Sequence, residues 1–204
     1  MNKEVRSLRD IRQEHIVTQR FDYSCGSAAL ATLFDYYLGN SVEEKEIILC
    51  ILNKGDRKKI AQRNGFSLLD LKLFVAGAGY QAEGFRLSLE ELKKLEVPAI
   101  IPVNVNGYKH FVVFRGVKDG RIFLADPAMG NMVLKTDYFQ KIWYAGNNLR
   151  EEEGLAFVVN NKPGAENNNL LQVKDKDQTF LSIPQANSLF KRRIAYDIPV
   201  RGEF

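Results

Sequence analysis

Four residues of this chain have types and spacing suited to acyl-transfer chemistry: Gln19, Cys25, His110 and Asp126. Cys25 ends a polar, irregular stretch, Thr18-Gln19-Arg20-Phe21-Asp22-Tyr23-Ser24, and opens a run of small residues, Gly26-Ser27-Ala28-Ala29-Leu30-Ala31. Ala28, Ala29, Thr32, Leu33 and Tyr36 recur at the three-and-four spacing of a buried helical face. With Ser24 as N-cap, Cys25 falls in the first helical turn, at the positive end of the helix dipole. That field favours thiolate over thiol, and the thiolate is the nucleophilic form. Gln19, six residues upstream, carries an amide that can point at an oxyanion developing beside the sulfur. A cysteine in such a run also fits a plain core helix. The other members of a catalytic set have to decide.

His110 starts an apolar strand, His110-Phe111-Val112-Val113-Phe114, and sixteen residues later Asp126 ends the next one, Leu124-Ala125-Asp126-Pro127. Taken singly, His110 fits a strand-end histidine held by backbone, and Asp126 before Pro127 fits a turn-starter. Whether the two share a sheet face depends on the connection Lys118-Asp119-Gly120. A two-residue Asp-Gly turn pairs 118 with 121, hence 110 with 129, on opposite faces. A three-residue loop with a glycine bulge at Gly120 pairs 110 with 128. It makes 126 the same-face diagonal neighbour of 110, roughly 7 to 8 Å away. The sequence predicts the three-residue loop. Cysteine at a helix start, histidine opening a strand and carboxylate closing the next are the nucleophile, base and orienter of acyl transfer. His15 matches no such role and reads as a loop residue.

The elements that must position these residues follow in order. Residues 1 to 14 form a charged lead-in, and 15 to 20 an extended entry to a helix over about 24 to 38, ended by Gly39-Asn40. Ser41-Val42-Glu43-Glu44 has capping-box spacing and opens a helix to about residue 53, with Cys50 in its core. A helix over 56 to 63 follows, and the boxes Ser67–Asp70 and Ser88–Glu91 open two more, with a strand over 80 to 86 between them. From Pro98 the chain turns to Val, Ile and Phe. Residues 99–105, 110–117 and 121–126 predict an antiparallel sheet, 135 to 144 a helix and 155–159 a last strand. Helices first and sheet second predict an α+β fold in two lobes.

At 204 residues, 45% apolar and 11% aromatic, the chain can bury a substantial core. Residues 1–159 read as the folded domain. Residues 160–204, rich in Asn, Lys, Asp and Gln, read as a polar, poorly ordered or loosely docked extension with short apolar patches at 180–183 and 189–190. The net charge of +4 is spread out, and Lys191-Arg192-Arg193 is too short to argue for nucleic acid. Two cysteines and two histidines supply no disulfide framework and no zinc ligand set. No cofactor is expected. No apolar run approaches a membrane span. The compartment stays open: periplasmic or exported if a signal peptide has been removed, cytoplasmic otherwise.

Gln19, the six-residue step to Cys25-Gly26, His110-Phe111-Val112-Val113 and Asp126-Pro127-Ala128 together resemble the papain-like cysteine peptidases of bacteria that trim double-glycine leaders from bacteriocin precursors, family thirty-nine of the cysteine peptidases. The likeness covers residues 12 to 159, and Phe66-Ser67-Leu68-Leu69-Asp70-Leu71 fits the family's connecting helix. It implies a papain-like fold, Cys25 as nucleophile, His110 as general base and then acid, and Asp126 as orienter. It also implies an oxyanion hole from the Gln19 amide and the Cys25 N–H. Ser24 stands where many relatives carry an aspartate. With no span and no phosphate-binding loop, the chain resembles the stand-alone members. The partner implied is a peptide or protein substrate, cleaved after small residues such as a glycine pair. An amidase or transpeptidase on the same scaffold, or a module that binds leader peptides without cutting them, would share most of these features. Oligomeric state is open.

Overall fold

The computed structural model describes residues 7–105, 107–143 and 153–179. Its elements run α1 (Leu8–Arg12), α2 (Cys25–Leu33), α3 (Glu44–Lys54), α4 (Arg57–Arg63), α5 (Leu68–Gly77), β1 (Gln81–Ser88) and α6 (Leu89–Lys93). Then come β2 (Ala99–Val105), β3 (Tyr108–Lys118), β4 (Arg121–Asp126), β5 (Gly130–Lys135), α7 (Thr136–Trp143) and β6 (Glu153–Asn160). The six strands form one antiparallel sheet in the order β1-β6-β2-β3-β4-β5. This is the α+β architecture read from the sequence.

Apolar side chains on both faces explain why the central strands read as continuous runs of Val, Ile and Phe. One face, with Ile100, Val113, Ala125 and Phe157, packs on α2, α3 and α5 through Leu30, Leu33, Phe34, Ile47, Ile51 and Leu71. The other, with Ile101, Val112, Phe114, Leu124 and Val158, packs on α6 and α7 through Leu92, Phe139 and Trp143. Close approach of α2 to β3 depends on small residues. A Cβ added at Gly26 would lie 3.3 Å from the Phe111 ring.

Local signals account for most boundaries. Ser67 with Asp70 and Ser88 with Glu91 form complete capping boxes, and Ser7 with Asp10 caps α1 inside the lead-in. Gly39 ends the first long helix in the left-handed conformation, as expected, but the last turn, Phe34–Leu38, is π-helical. Two capping expectations are corrected. Ser24 Oγ does not cap α2, and α3 begins at Glu44 without a box from Ser41. In both places the polar atoms are diverted: Ser24 Oγ and Glu44 Oε1 face each other at 2.6 Å. Cys50, expected in the core, is half-buried at the edge of the apolar cluster. Strand β5 was absent from the sequence reading, because a six-residue element beginning at a glycine has little pattern of its own.

The connection between β3 and β4 is a further correction. The turn is the two-residue one, with Lys118 opposite Arg121 and both Asp119 (φ 50) and Gly120 (φ 68) left-handed. By itself that register would separate His110 from Asp126. A β-bulge between Phe114 and Gly116 shifts it by one residue, so that Val113 faces Ala125. Continued one step, Val112 lies opposite Asp126, and His110 is the same-face diagonal neighbour after all. Gly116 adopts φ 145, where a side chain is strained.

The bulge also turns Arg115 inward. Its guanidinium donates to Asn131 Oδ1 (2.6 Å), Asp177 Oδ2 (2.7 Å) and the carbonyl of Leu171 (2.9 Å). A buried cation requires such partners. Asn131 is in β5; the other two come from the segment after β6, which also bonds to Tyr36 and Tyr37 backbone carbonyls through Leu170 and Asn168 N–H groups, buries Leu171, and pairs Lys118 with Asp175. Of the stretch read as a loose extension, residues 161–178 are therefore held against the domain, and residues 180–204 lie outside the described residues. No helix among the described residues is long and apolar enough to cross a membrane.

Gly116→Ala is expected to destabilise the chain by about 1–3 kcal/mol, the usual strain of a disallowed backbone conformation. Urea unfolding checks this. The same variant should loosen the His110–Asp126 contact, read as a changed imidazole titration by NMR.

Candidate active site

The structure brings Cys25, His110 and Asp126 together. Cys25 is the first residue of α2, buried to 7% exposure. His110 is near the start of β3 and Asp126 is the last residue of β4; both are buried. Imidazole Nε2 lies 2.9 Å from Asp126 Oδ1. The Cys25 thiol hydrogen-bonds to the same ring, which leaves Nδ1 as the nitrogen facing sulfur. Tyr108, two residues earlier on β3, stacks on the imidazole at 5.8 Å.

Asp126 is fixed by its own turn. Its Oδ1 accepts the N–H groups of Ala128 (2.7 Å) and Met129 (3.0 Å) as well as the imidazole. The turn-starting and imidazole-orienting readings of Asp126 are thus both true of one oxygen. Its Oδ2, buried, meets no hydrogen-bond partner among the described residues. A desolvated carboxylate of this kind favours a positive imidazole beside it.

Electrostatics follow from that placement. Burial works to push the Cys25 thiol up, but the hydrogen bond and charge of His110 and the N–H of Phe111 outweigh it, so its pKa is lowered. Burial works to pull His110 down, but the charge and hydrogen bond of Asp126, with those of Cys25, raise it to about 10. The two shifts favour a thiolate–imidazolium pair. The uncapped first turn of α2 adds to this, since no side chain neutralises its N–H groups beside the sulfur.

Gln19 sits on the entry loop. Its backbone N–H donates to the carbonyl of Pro127 (2.9 Å), joining that loop to the end of β4. Its side-chain Nε2 donates to the carbonyl of Phe21 (2.8 Å), so one of its two N–H groups is engaged in the loop. His15 lies outside the cluster, left-handed (φ 58) and against Tyr36. Three contributors escaped the sequence reading. The N–H of Phe111 points at the sulfur, Glu44 anchors the loop, and the bulge at Gly116 sets the register. Only the last had a visible signal, a glycine inside a β-branched strand. No group of three or more His, Cys, Asp or Glu side chains arranged for a metal occurs among the described residues.

A sulfur at a helix N-terminus, set against an antiparallel sheet that carries imidazole and carboxylate, defines the papain-like class. The chain belongs to the peptidase C39 family, whose model matches residues 13–149. It is 35% identical over 157 residues to a probable functional amyloid protease, FapD, of Pseudomonas aeruginosa, a match covering 77% of this chain. The match spans 65% of that relative's length. In structure it resembles the peptidase domain of Streptococcus ComA, a bi-functional ABC transporter involved in quorum sensing. The TM-score is 0.59 at 18% identity, covering 74% of this chain and 100% of that one. It also resembles a double glycine motif protease from an AMS/PCAT transporter solved with its leader peptide. Here the TM-score is 0.57 at 24% identity, covering 72% of this chain and 91% of that one.

Iodoacetamide should alkylate Cys25 with an apparent pKa below that of an ordinary thiol, because the lowered thiol is ionised earlier in a pH series. In His110→Ala the opposing burial is left less compensated, so the same profile should move up. Stopped-flow alkylation with mass-spectrometric assignment of Cys25 measures both.

Proposed function

We propose that this chain is a cysteine peptidase that cleaves a peptide bond after small residues, such as the glycine pair of a leader peptide. The observation that carries the reading is the meeting of Cys25 sulfur, His110 imidazole and Asp126 carboxylate. The double-glycine specificity and the peptide partner are supported by the leader-bound structural neighbour, and the proteolytic activity by the FapD likeness.

In this reading the Cys25 thiolate attacks the scissile carbonyl carbon, and the carbonyl electron pair moves onto oxygen. The second N–H of the Gln19 amide and the N–H of Cys25 receive that oxyanion. Collapse breaks the C–N bond while the His110 imidazolium gives its proton to the departing amine, leaving a thioester on Cys25. His110, now neutral, takes a proton from water as it attacks the thioester, and the acid product leaves with the thiol group restored. Asp126 holds the ring in one orientation and stabilises its charged form. No metal or cofactor takes part in these steps.

Cys25→Ala should abolish cleavage of a library of peptides with an internal glycine pair while leaving the unfolding midpoint in place. Asp126→Ala should lower kcat by about 10²-fold or more, within the span of general acid–base contributions. In the intact protein kcat/KM should rise through the lowered Cys25 ionisation. It should fall as the imidazolium loses its proton, toward about 10. Unimpaired cleavage by the Cys25→Ala variant would overturn the proposal.

A further inference from the structure

Beneath the loop between Gln19 and Cys25 lies a carboxyl group that the proposed mechanism does not use. Glu44, the first residue of α3, is 5% exposed. Its Oε1 lies 2.6 Å from Ser24 Oγ, and the N–H of Arg20 reaches Oε1 at 3.3 Å and Oε2 at 3.2 Å. Ser24 Oγ lies also 2.7 Å from the carbonyl of Phe21, the carbonyl that accepts Gln19 Nε2.

Proton counting along this chain of contacts decides its state. A serine hydroxyl has one proton to donate, and a carbonyl oxygen can only accept. If the hydroxyl gives its proton to Glu44, Ser24 Oγ and the Phe21 carbonyl are left as two acceptors facing each other at 2.7 Å. If it gives the proton to Phe21, the 2.6 Å approach of Glu44 needs a proton on the carboxyl. Only the second arrangement satisfies both contacts. The groups facing Glu44 agree with it. Ser24, just before α2, is neutral, and Arg20, whose charge acts on Glu44 among the described residues, has an exposed side chain. Burial raises the carboxyl above its ordinary value, outweighing the bonds from Ser24 and the Arg20 N–H and the charge of Arg20.

A second observation shows what the bonds hold. Tyr23, between Phe21 and Ser24, is left-handed at φ 60, a conformation that a tyrosine keeps only when its surroundings enforce it. The Ser24–Phe21 bond closes the loop around Tyr23, and Glu44 locks Ser24 from below.

We propose that Glu44, in its protonated form, is a positioning residue for Gln19: it donates to Ser24 Oγ, Ser24 donates to the Phe21 carbonyl, and that carbonyl carries the Gln19 amide. This rests on the reading of Cys25 as nucleophile and Gln19 as oxyanion donor. The consequence is that Glu44 affects steps that form an oxyanion and leaves other reactions of the same sulfur untouched.

Two reagents separate these. A glycyl-glycine p-nitrophenyl ester acylates Cys25 through a tetrahedral oxyanion, whereas iodoacetamide alkylates it without one. Glu44→Ala and Ser24→Ala should slow acylation by about tenfold or more, short of the about 10²–10³-fold that follows complete loss of an oxyanion donor, and leave alkylation unchanged. Glu44→Gln should retain most of the acylation rate, because its amide N–H replaces the carboxyl proton toward Ser24. In the intact protein the ratio of acylation to alkylation should drop as Glu44 ionises with rising pH, and that drop should be missing in Glu44→Gln. An unchanged ratio in Glu44→Ala overturns the inference, as does a Glu44→Gln variant as slow as Glu44→Ala. Should Glu44→Ala not fold, the pH dependence of the ratio in Glu44→Gln against the intact protein decides in the same way. If the intact protein is acylated no faster than a free thiol, the parent reading of Cys25 fails instead.

Discussion

The structure depends on a buried imidazole held between a sulfur and a carboxylate. His110 has almost no access to water, so both its neighbours act on it at low dielectric, where each contact counts for more than it would at a surface. Asp126 meets it at 2.9 Å with an oxygen already fixed by two backbone N–H groups. The ring is thereby set in orientation and favoured in its charged form, and the charge in turn favours a thiolate on Cys25. Remove the imidazole or the carboxylate and its partner is left as a desolvated polar group.

Each partner is delivered by a different device. The sulfur arrives on a helix whose first turn has no side-chain cap, because the serine in the capping position is occupied by Glu44 and the Phe21 carbonyl. The carboxylate arrives on a strand end closed by a turn that uses the same oxygen. The imidazole arrives in register through a bulge, and the bulge turns Arg115 inward, where the segment after β6 satisfies it. An uncapped helix, a left-handed tyrosine, a bulged strand and a buried arginine all place or support these three groups. The regular elements supply the rigid frame on which such strain can be maintained.

The register between β3 and β4 shows how a sound expectation can reach the right geometry by the wrong route. Three-residue loop and bulged two-residue turn both insert one extra residue between His110 and Asp126, and a strand's period of two means that one residue is all that separates same face from opposite face. Asp119-Gly120 is a strong signal for the tight turn, and the extra residue is Arg115, between Phe114 and Gly116. Neither turn nor bulge can be ranked without knowing whether Arg115 has partners inside, and those lie 16 to 62 residues away in the chain.

Residue types and local spacing determined the α+β order, the helices opened by Ser67 and Ser88, the left-handed end at Gly39, and the four residues that compose the candidate site. These rest on interactions within a few residues of chain, such as caps, periodicity and turn chemistry, so they are legible in one dimension. Tertiary structure alone decided the use of Ser24 and Glu44, the half-burial of Cys50, the strand at 130–135, the docking of residues 161–178 and the bulge that aligns the imidazole. In each of these a polar or apolar group chose between a near partner and a distant one. The burial that sets the strength of either bond exists only once the chain has folded.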